Sequence, residues 1–279
     1  MNKLNLWSTV YERSIQPCEY LYHYTRIDAA YKILVTNSLK FSSLSKSNDT
    51  VEKKLRVKVE DEEVKSEILR MISTNISFIK LLCFSMDHVF EGNIDELGLT
   101  EERRYSDYTG RGFALPRMWA QYSNDNNGVC LAFDKTKLLE MFMKQHFGAK
   151  ILEGEVKYIS PYAADEEISL EMVQYVKNHV EGGRIDEALA VCNILKEFQD
   201  FTKNNFLTKT DDWSSENEYR ILAYSENSLY INGINEALSG IVVGENIDET
   251  DLSIIRMLSN KKPIMKIEFC YSGCKLNRA

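Results

Sequence analysis

The chain has 279 residues, of which 44% are hydrophobic and 27% are charged, and its net charge is −8. This balance is typical of a folded globular protein, and the negative charge excludes a global positive field for nucleic acid or anionic lipid, although a local basic groove stays open. No apolar run approaches the roughly 20 residues of a membrane helix, and the N-terminal residues lack the apolar block of a signal peptide. We therefore expect a cytoplasmic protein with no membrane partner.

The first part of the chain predicts alternating strands and helices. Residues 20–44 indicate a strand, a helix and a second strand, in the segments EYLYHYT, RIDAAYKILVTN and SLKFSSLS. Thr25 and Asp28 are candidate caps for that helix. The charged run from Asn48 to about Phe78 predicts a helical segment whose solvated face is held partly by ion pairs. LLCFS then predicts a short buried strand.

The middle of the chain predicts an irregular segment, a short helix and a buried strand. The stretch 87–112 is polar, LPRMWAQYSND predicts a helix with Pro116 in its first turn, and NNGVCLAFD predicts a turn and a strand. Trp119 and Tyr122 lie three residues apart, so they share one helix face. Aromatic residues at this spacing usually face inward, and we expect core packing rather than a platform for stacking bases.

Beyond residue 135 the pattern predicts four helices, at 135–147, 165–181, 184–207 and 249–259. GEVKYIS, ENEYRILAY, SGIVVGEN and PIMKIEFCYS predict strands between or after them. Residues 165–207 form a helical insertion with a Gly-Gly break, and no linker-like segment divides the chain. The prediction is therefore a single domain spanning 1–279. Its fold class is α+β, with a mixed, largely antiparallel sheet and flanking helices.

Six dispersed cysteines stand mostly in apolar segments: Cys18, Cys83, Cys130, Cys192, Cys270 and Cys274. This pattern predicts free thiols in a reducing compartment, mostly in the core. Only the last two approach the spacing of metal ligands, and a structural zinc site requires four ligands. We therefore predict no metal site.

The segment ENEYRIL carries the most distinctive polar pattern. In a strand, Glu216, Glu218 and Arg220 share one face while Tyr219 and Ile221 share the other. The polar face either contributes to a functional site or consists of a carboxylate and a guanidinium that pair on an exposed sheet surface. Glu216, near the start of the strand, is expected to be the more solvent-exposed carboxylate.

The order of LYHYT, LKFSS with SND, LLCFS, MWAQYSNDNNGVCLAFD, VKYIS, WSSENEYRIL and GIVVGEN resembles the bacterial family called domain of unknown function 2971. The resemblance covers most of the chain and is strongest at residues 119–133 and 213–222. One position departs from the family pattern. Proline usually follows the Asn-Asp pair in the family, whereas Thr50 follows Asn48 and Asp49 in this chain.

The arrangement of a strand ending in His23, Tyr24 and Thr25, a helix, a second strand and a late Glu-x-Glu is similar to that of ADP-ribosyltransferases, including toxin-type enzymes. This resemblance implies an ADP-ribosyltransferase-like fold and NAD as a co-substrate. It implies that Glu218 is the catalytic carboxylate that stabilises the positive charge developing on the ribose. It also implies that His23 hydrogen-bonds a ribose and that Tyr24 stacks on the nicotinamide ring.

The same resemblance predicts a nucleotide-binding set of His23, Tyr24, Thr25, Ser42, Ser43 and Arg220. His23 alternatively is a structural histidine, and the serines alternatively form turns and caps. The chain would then consume NAD as a transferase or glycohydrolase, as a toxin or antiviral effector, with a nucleic-acid or protein acceptor. The alternative functions are a non-catalytic nucleotide or nucleic-acid sensing module and a protein-interaction domain.

A local concentration of positive charge accompanies this prediction. Arg103, Arg104, Arg111 and Arg117 lie close together in the sequence and are candidates for clamping phosphates.

Overall fold

The computed structural model describes residues 6–7, 19–88, 108–146, 151–163, 165, 167–182, 186–270 and 273–279. The strands are β1 (Tyr20–Thr25), β2 (Ser38–Lys40), β3 (Ser42–Ser43), β4 (Ile79–Ser85), β5 (Val129–Asp134), β6 (Ile151–Glu155), β7 (Lys157–Ile159), β8 (Thr208–Thr210), β9 (Glu218–Tyr224), β10 (Tyr230–Asn232), β11 (Leu238–Val243), β12 (Ile264–Cys270) and β13 (Gly273–Arg278). The helices are α1 (Ile27–Thr36), α2 (Glu62–Asn75), α3 (Pro116–Tyr122), α4 (Lys135–Gln145), α5 (Leu170–Glu181), α6 (Glu187–Glu197), α7 (Gln199–Phe206) and α8 (Glu249–Leu258).

The main sheet has the strand order β13-β12-β11-β5-β1-β4-β9-β6, and β3 also pairs with β4. Its neighbouring strands are antiparallel except for β11 and β12, which are parallel. Two small sheets pair β2 with β10 and β7 with β8. The structure thus confirms the predicted α+β class with a mixed, largely antiparallel sheet and flanking helices.

Alternating side chains along the strands supply separate hydrophobic cores. On β9, Tyr219 and Ile221 pack in the largest core, which also contains residues of α1, α4 and α8. Leu222, one residue further on, packs in a second core with residues of α2 and of the helices α5 to α7. The period of two along a strand therefore directs consecutive residues of β9 into different cores.

Polar caps define where most of the helices begin. Side chains accept hydrogen bonds from first-turn backbone N–H groups at α2, α4, α5, α6 and α8, and these caps are Asp61, Asp134, Ser169, Asp186 and Asp248. Pro116 occupies the first turn of α3, as predicted. The predicted cap of α1 is wrong for Thr25, because that residue belongs to β1 and Arg26 stands at the cap position without a side-chain cap bond.

The helical insertion lies between β7 and β8 and contains three helices rather than the predicted two. The second predicted helix is divided at Phe198, which ends α6 and precedes α7. The insertion packs on α2, so its apolar faces are buried against the rest of the protein. These contacts are compatible with one domain over 1–279, which stays a prediction.

Two other predictions were wrong in extent. The charged run 48–78 becomes α-helical only from Glu62 to Asn75, and the segment before it is irregular. LKFSS does not form one strand of the main sheet. Ser38–Lys40 pairs with β10 in a small sheet, and only Ser42–Ser43 pairs with β4.

Five cysteines lie within the described residues, and all five are free. Cys130 and Cys274 are buried, but Cys83 and Cys270 are exposed, so the predicted core setting is wrong for these two. Cys18 lies outside the described residues. In the same part of the chain, no cluster of three or more His, Cys, Asp or Glu side chains is arranged to hold a metal ion, and no helix combines the length and apolar character needed to cross a membrane.

Candidate functional site

A cleft opens in the main sheet where β1 and β4 diverge. β1 pairs with β5 along its whole length, whereas its register with β4 joins Tyr22 to Ser85. Further along β1, the His23 side chain reaches across instead, and its Nδ1 lies 3.1 Å from the carbonyl oxygen of Cys83. Beyond the Tyr22–Ser85 pair, the side chain of His23 therefore joins β1 to β4 in place of backbone hydrogen bonds.

A cavity of about 630 Å³ occupies this cleft. A volume of this size lies within the range of small-molecule and cofactor sites. All the residues predicted to bind the nucleotide or to act in catalysis line it, namely His23, Tyr24, Thr25, Ser42, Ser43, Glu218 and Arg220. The structure therefore brings the whole predicted set into one cavity, while their individual roles stay predictions.

Glu218 and Arg220 form a buried, two-pronged ion pair at the cavity wall. Arg220 Nε lies 2.8 Å from Glu218 Oε1, and Arg220 Nη2 lies 2.9 Å from Glu218 Oε2. Arg220 also donates from Nη1 to the carbonyl oxygen of Phe206 and from Nη2 to Glu52. The sequence left open an exposed Glu-Arg pair. The pair does form, but it is buried.

Lys209 links this ion pair to two further carboxylates. Its Nζ lies 2.7 Å from Glu216 Oε2, 2.9 Å from Glu218 Oε2 and 3.9 Å from Glu52 Oε1. The prediction that Glu216 is solvent-exposed is wrong, because only 2% of its surface is accessible. We call Glu52, Lys209, Glu216, Glu218 and Arg220 the charge cluster. It holds three carboxylates and two cations, so its formal charge is negative.

The charge cluster keeps Glu218 ionised. Burial alone raises the pKa of this carboxyl, but the charges of Arg220 and Lys209 and the hydrogen bonds from Arg220 outweigh burial and lower the pKa to about 2. Burial likewise opposes the charged form of Lys209, yet the neighbouring carboxylates, Glu218 foremost, raise its pKa above the ordinary value. Near neutral pH, the site therefore presents a fixed carboxylate rather than a carboxylic acid.

His23 is a neutral imidazole with a defined tautomer. Burial lowers its pKa, and this effect exceeds the opposite effect of the hydrogen bond with the Cys83 carbonyl. A carbonyl oxygen only accepts, so Nδ1 carries the proton and Nε2 is left as an acceptor. The ring packs edge-on against Phe84, with centroids 5.8 Å apart, which holds its orientation. His23 can therefore accept a hydrogen bond from a ligand hydroxyl.

Tyr24 and Ser43 are engaged in structural contacts. The Tyr24 hydroxyl donates to the Gly112 carbonyl oxygen at 2.8 Å and accepts from Leu115 N, and its ring packs edge-on against Trp119. Ser43 caps a short 3₁₀ helix through Ser45 N, as the alternative interpretation of the serines proposed. The predicted stacking role of Tyr24 finds no support in these contacts.

Ser85 was not singled out from the sequence, although it lies at the cavity wall directly opposite Glu218 in the β4–β9 register. Only 1% of its surface is accessible. Within the described residues, its Oγ has no hydrogen-bond partner. A buried hydroxyl without a partner carries a desolvation cost that a bound ligand can offset by hydrogen bonding.

Trp119 and Tyr122 have different roles despite their shared helix face. Trp119 is completely buried and donates from Nε1 to the Phe113 carbonyl oxygen at 2.7 Å, which confirms core packing. Tyr122 is partly buried and packs against the core that contains Trp119, but it also lines the cavity. Its hydroxyl donates to Glu216 Oε1 at 2.7 Å, and burial together with that carboxylate raises its pKa.

The predicted arginine clamp is not assembled from the arginines that the structure describes. Arg111 is fully buried, pairs with Asp87 at 2.9 Å and donates to the Tyr22 hydroxyl. Arg117 donates to the Asp212 carbonyl oxygen and lies over the Trp213 ring. The guanidinium groups of Arg111 and Arg117 are therefore engaged in contacts within the protein rather than directed together at one site. Arg103 and Arg104 lie outside the described residues.

Part of the chain matches the model of one protein family. Residues 118–221 match the model of the family "Protein of unknown function (DUF2971)". The resemblance to this family seen in the sequence is thereby confirmed over this segment. The matched segment includes most of α3, the helical insertion and most of the charge cluster, with Glu52 outside it. The search of curated proteins gave no match.

Among solved structures, the chain is similar to DarT from Thermus sp. 2.9. For the complex of that protein with NAD+, the identity is 10% and the TM-score is 0.34, over 89% of this chain and 94% of that chain. For its complex with ADP-ribosylated ssDNA, the identity is 11% and the TM-score is 0.33, over 88% of this chain and 92% of that chain.

Proposed function

We propose that this protein cleaves the nicotinamide–ribose bond of NAD in the cleft between β1 and β4, as an ADP-ribosyltransferase or an NAD glycohydrolase. The observation that carries the proposal is the convergence of His23 and the ionised Glu218 on one cavity of about 630 Å³. A neutral hydrogen-bond acceptor and a fixed carboxylate are the two groups that the proposed cleavage requires.

The charge cluster suits the electrostatics of this reaction. When the bond to nicotinamide breaks, positive charge develops on the ribose, and a preorganised negative group stabilises that charge in the transition state. Glu218 is held in one position by Arg220 and Lys209, so little reorganisation is needed during the reaction. Glu216 and Glu52 keep the cluster net negative despite its two cations.

In this proposal, the uncharged polar groups of the cavity position the ribose. Nε2 of His23 accepts a hydrogen bond from one ribose hydroxyl, and the buried hydroxyl of Ser85 gains a ligand partner. Ser85 is the register partner of Glu218, so both act at the same level of the sheet. The ADP-ribose is then transferred to water or to a nucleic-acid or protein acceptor.

An enzyme of this kind depletes cellular NAD or modifies an essential macromolecule, and either effect suits a toxin or an antiviral effector. Expression of the wild-type protein in a bacterial host, compared with the Glu218→Gln variant, tests this role. We expect slower growth and a lower NAD content with the wild-type protein only. Equal growth and equal NAD content for the two proteins contradict a toxic role.

The decisive experiment incubates the purified protein with NAD and measures free nicotinamide, first alone and then with single-stranded DNA, RNA or protein as the acceptor. Release without an acceptor indicates a glycohydrolase. Release together with a mass increase of the acceptor equal to ADP-ribose indicates a transferase. No release in any of these mixtures contradicts the proposal.

The second candidate is a non-catalytic nucleotide-binding module, and one observation favours it. Both oxygens of Glu218 are already engaged by Arg220 or Lys209, which is the arrangement of a carboxylate that holds a fold together. In that case the protein binds NAD or a related nucleotide without releasing nicotinamide. Isothermal titration calorimetry in parallel with the release assay separates the two candidates.

A further inference from the structure

A second, smaller cavity of about 340 Å³ adjoins the cleft and is lined by Lys40, Phe41, Ser42, Ser43, Lys46, Lys80 and Ser228. We call it the lysine pocket. The two cavities share Lys40, Ser42, Ser43 and Lys46 as lining residues. They are therefore neighbouring compartments of one binding region.

Three separate elements bring the lysines together. Lys40 ends β2, Lys46 ends the 3₁₀ helix Leu44–Lys46, and Lys80 lies on β4 opposite Ser43. Lys40 Nζ lies 5.7 Å from the centroid of the Tyr230 ring, and Lys80 Nζ donates to the Ser77 carbonyl oxygen at 2.6 Å. These contacts fix two of the three ammonium groups at the pocket.

The lysine pocket concentrates positive charge. No carboxylate is among its described lining residues. Burial, and then the charges of Lys46 and Lys40, lower the pKa of Lys80, so the two neighbouring ammonium groups disfavour its charged form. Bringing like charges together destabilises the unliganded protein. A bound polyanion reverses this effect.

The two ends of the binding region have opposite charge. Lys80 is five residues from Ser85 on β4, which corresponds to about 17 Å along the strand, with the two side chains on opposite faces of it. The two compartments connect instead through Lys40 and Lys46, whose side chains line both cavities. Glu218 lies opposite Ser85. A ligand that is cationic at one end and carries phosphates further along matches this polarity, and NAD has a cationic nicotinamide ring and a diphosphate.

We propose that the lysine pocket is the phosphate-binding subsite of the cleft and receives the diphosphate of the bound dinucleotide through Lys40, Lys46 and Lys80. The subsite deepens the proposed function, since the assignment of NAD rests on it. The binding of a phosphate group, however, depends on the lysines alone. Neither the integrity of Glu218 nor turnover is needed for it.

The test compares the wild-type protein with a triple variant, Lys40→Gln, Lys46→Gln and Lys80→Gln. Dissociation constants are measured calorimetrically for inorganic pyrophosphate, NAD and nicotinamide riboside, which lacks the diphosphate. The matched control replaces three exposed lysines of α4, α6 and α7, which line neither cavity, with glutamine: Lys137, Lys196 and Lys203. Both triple variants lose the same net charge.

We expect the pocket variant to bind pyrophosphate and NAD at least about tenfold more weakly than the control variant, because it loses several charge-assisted hydrogen bonds. Nicotinamide riboside should bind equally to both. The binding of pyrophosphate to the wild-type protein should also weaken with rising salt, as expected for a partly exposed charged site. The Glu218→Gln variant should bind pyrophosphate as the wild-type protein does.

Two outcomes overturn the inference. If pyrophosphate binds the pocket variant and the control variant equally, the lysines form no phosphate subsite. If pyrophosphate binding is lost in the pocket variant but NAD binding is unchanged, the pocket does not serve the dinucleotide. If the wild-type protein binds no NAD at all but pyrophosphate binding still requires the lysines, the proposed function fails and the phosphate subsite stands.

Discussion

Replacing Glu218 with glutamine removes one charge from the centre of the charge cluster while keeping the size of the side chain. The wild-type cluster contains three carboxylates and two cations, and the variant contains two of each. The cluster therefore becomes formally neutral. We expect a folded protein that still binds NAD but no longer stabilises positive charge on the ribose.

The contacts of Glu218 determine how much the substitution lowers the free energy of unfolding and how much it lowers the reaction rate. The glutamine oxygen can still accept from Arg220, but its amide nitrogen is a donor and cannot accept from Arg220 or Lys209. One mismatched buried contact of this kind costs about 1–3 kcal/mol of the free energy of unfolding. Loss of a single preorganised electrostatic contact to the transition state lowers the rate by about 10²–10³, or about 2.7–4 kcal/mol of the barrier.

The assay is nicotinamide release at saturating NAD, at a temperature well below the melting temperature of each protein. The matched control is Glu153→Gln on β6, because Glu153 is an exposed glutamate whose register partner, Ile221, lies on the same strand as Glu218. Glu216 is unsuitable as a control, since it is buried and shares Lys209 with Glu218. The Glu153 variant should keep the wild-type rate.

The reasoning is refuted if the Glu218 variant is folded, binds NAD and releases nicotinamide at a rate close to that of the wild-type protein. It is also refuted if the Glu153 variant loses as much activity, because a general change in surface charge would then explain both results. If activity falls only in proportion to the folded fraction, Glu218 has a structural role.

Three further outcomes follow from the same geometry. Ser85→Ala should weaken ligand binding without destabilising the fold, because the hydroxyl has no hydrogen-bond partner within the described residues. Calorimetry measures the affinity and thermal unfolding measures the stability. Unchanged affinity counts against a contact between Ser85 and the ligand. Lys209→Met should lower the free energy of unfolding by about 3 kcal/mol, because it leaves buried carboxylates without their shared cation. Urea unfolding measures this free energy, and a value equal to that of the wild-type protein contradicts the prediction. The lowered pKa of Glu218, about 2 against an ordinary 4.5, stabilises the protein by about 3 kcal/mol above pH 4.5. That stabilisation should be lost as the pH falls from 4.5 towards 2, and the acid-induced loss measured by thermal unfolding should be smaller in Glu218→Gln.

Local sequence patterns were sufficient where one strand or one helix determined the result. The alternation in ENEYRIL correctly placed Tyr219 and Ile221 in the core and the carboxylate and guanidinium on the opposite face. Pro116 correctly located the start of α3. In these cases the period of the backbone alone decides which way a side chain points.

The remaining parts of the site depend on contacts between distant segments. Glu52 lies in a charged run that predicts a solvated helix, yet tertiary contacts bury it against Arg220, 168 residues further along the chain. Lys209 and Tyr122 reach Glu216 from two other elements. A single sequence contains no signal for such pairings. Only Ser85 could have been found from the sequence. It is the polar residue that ends the predicted strand LLCFS, and pairing of that strand with ENEYRIL would have placed it near Glu218.

The divergence of β1 from β4 means that the sheet consists of two halves, with β5 and β11 to β13 on the β1 side and β6 and β9 on the β4 side. Along this seam Tyr22 and Ser85 are register partners, and the bond from His23 to the Cys83 carbonyl joins the two halves further along. Apolar contacts also cross the seam, since Phe84 on β4 packs edge-on against Phe133 on β5, with ring centroids 6.2 Å apart. If a ligand hydroxyl donates to Nε2 of His23, the Nδ1 bond to the Cys83 carbonyl stays in place, so one imidazole both joins the rims of the cleft and holds the ligand.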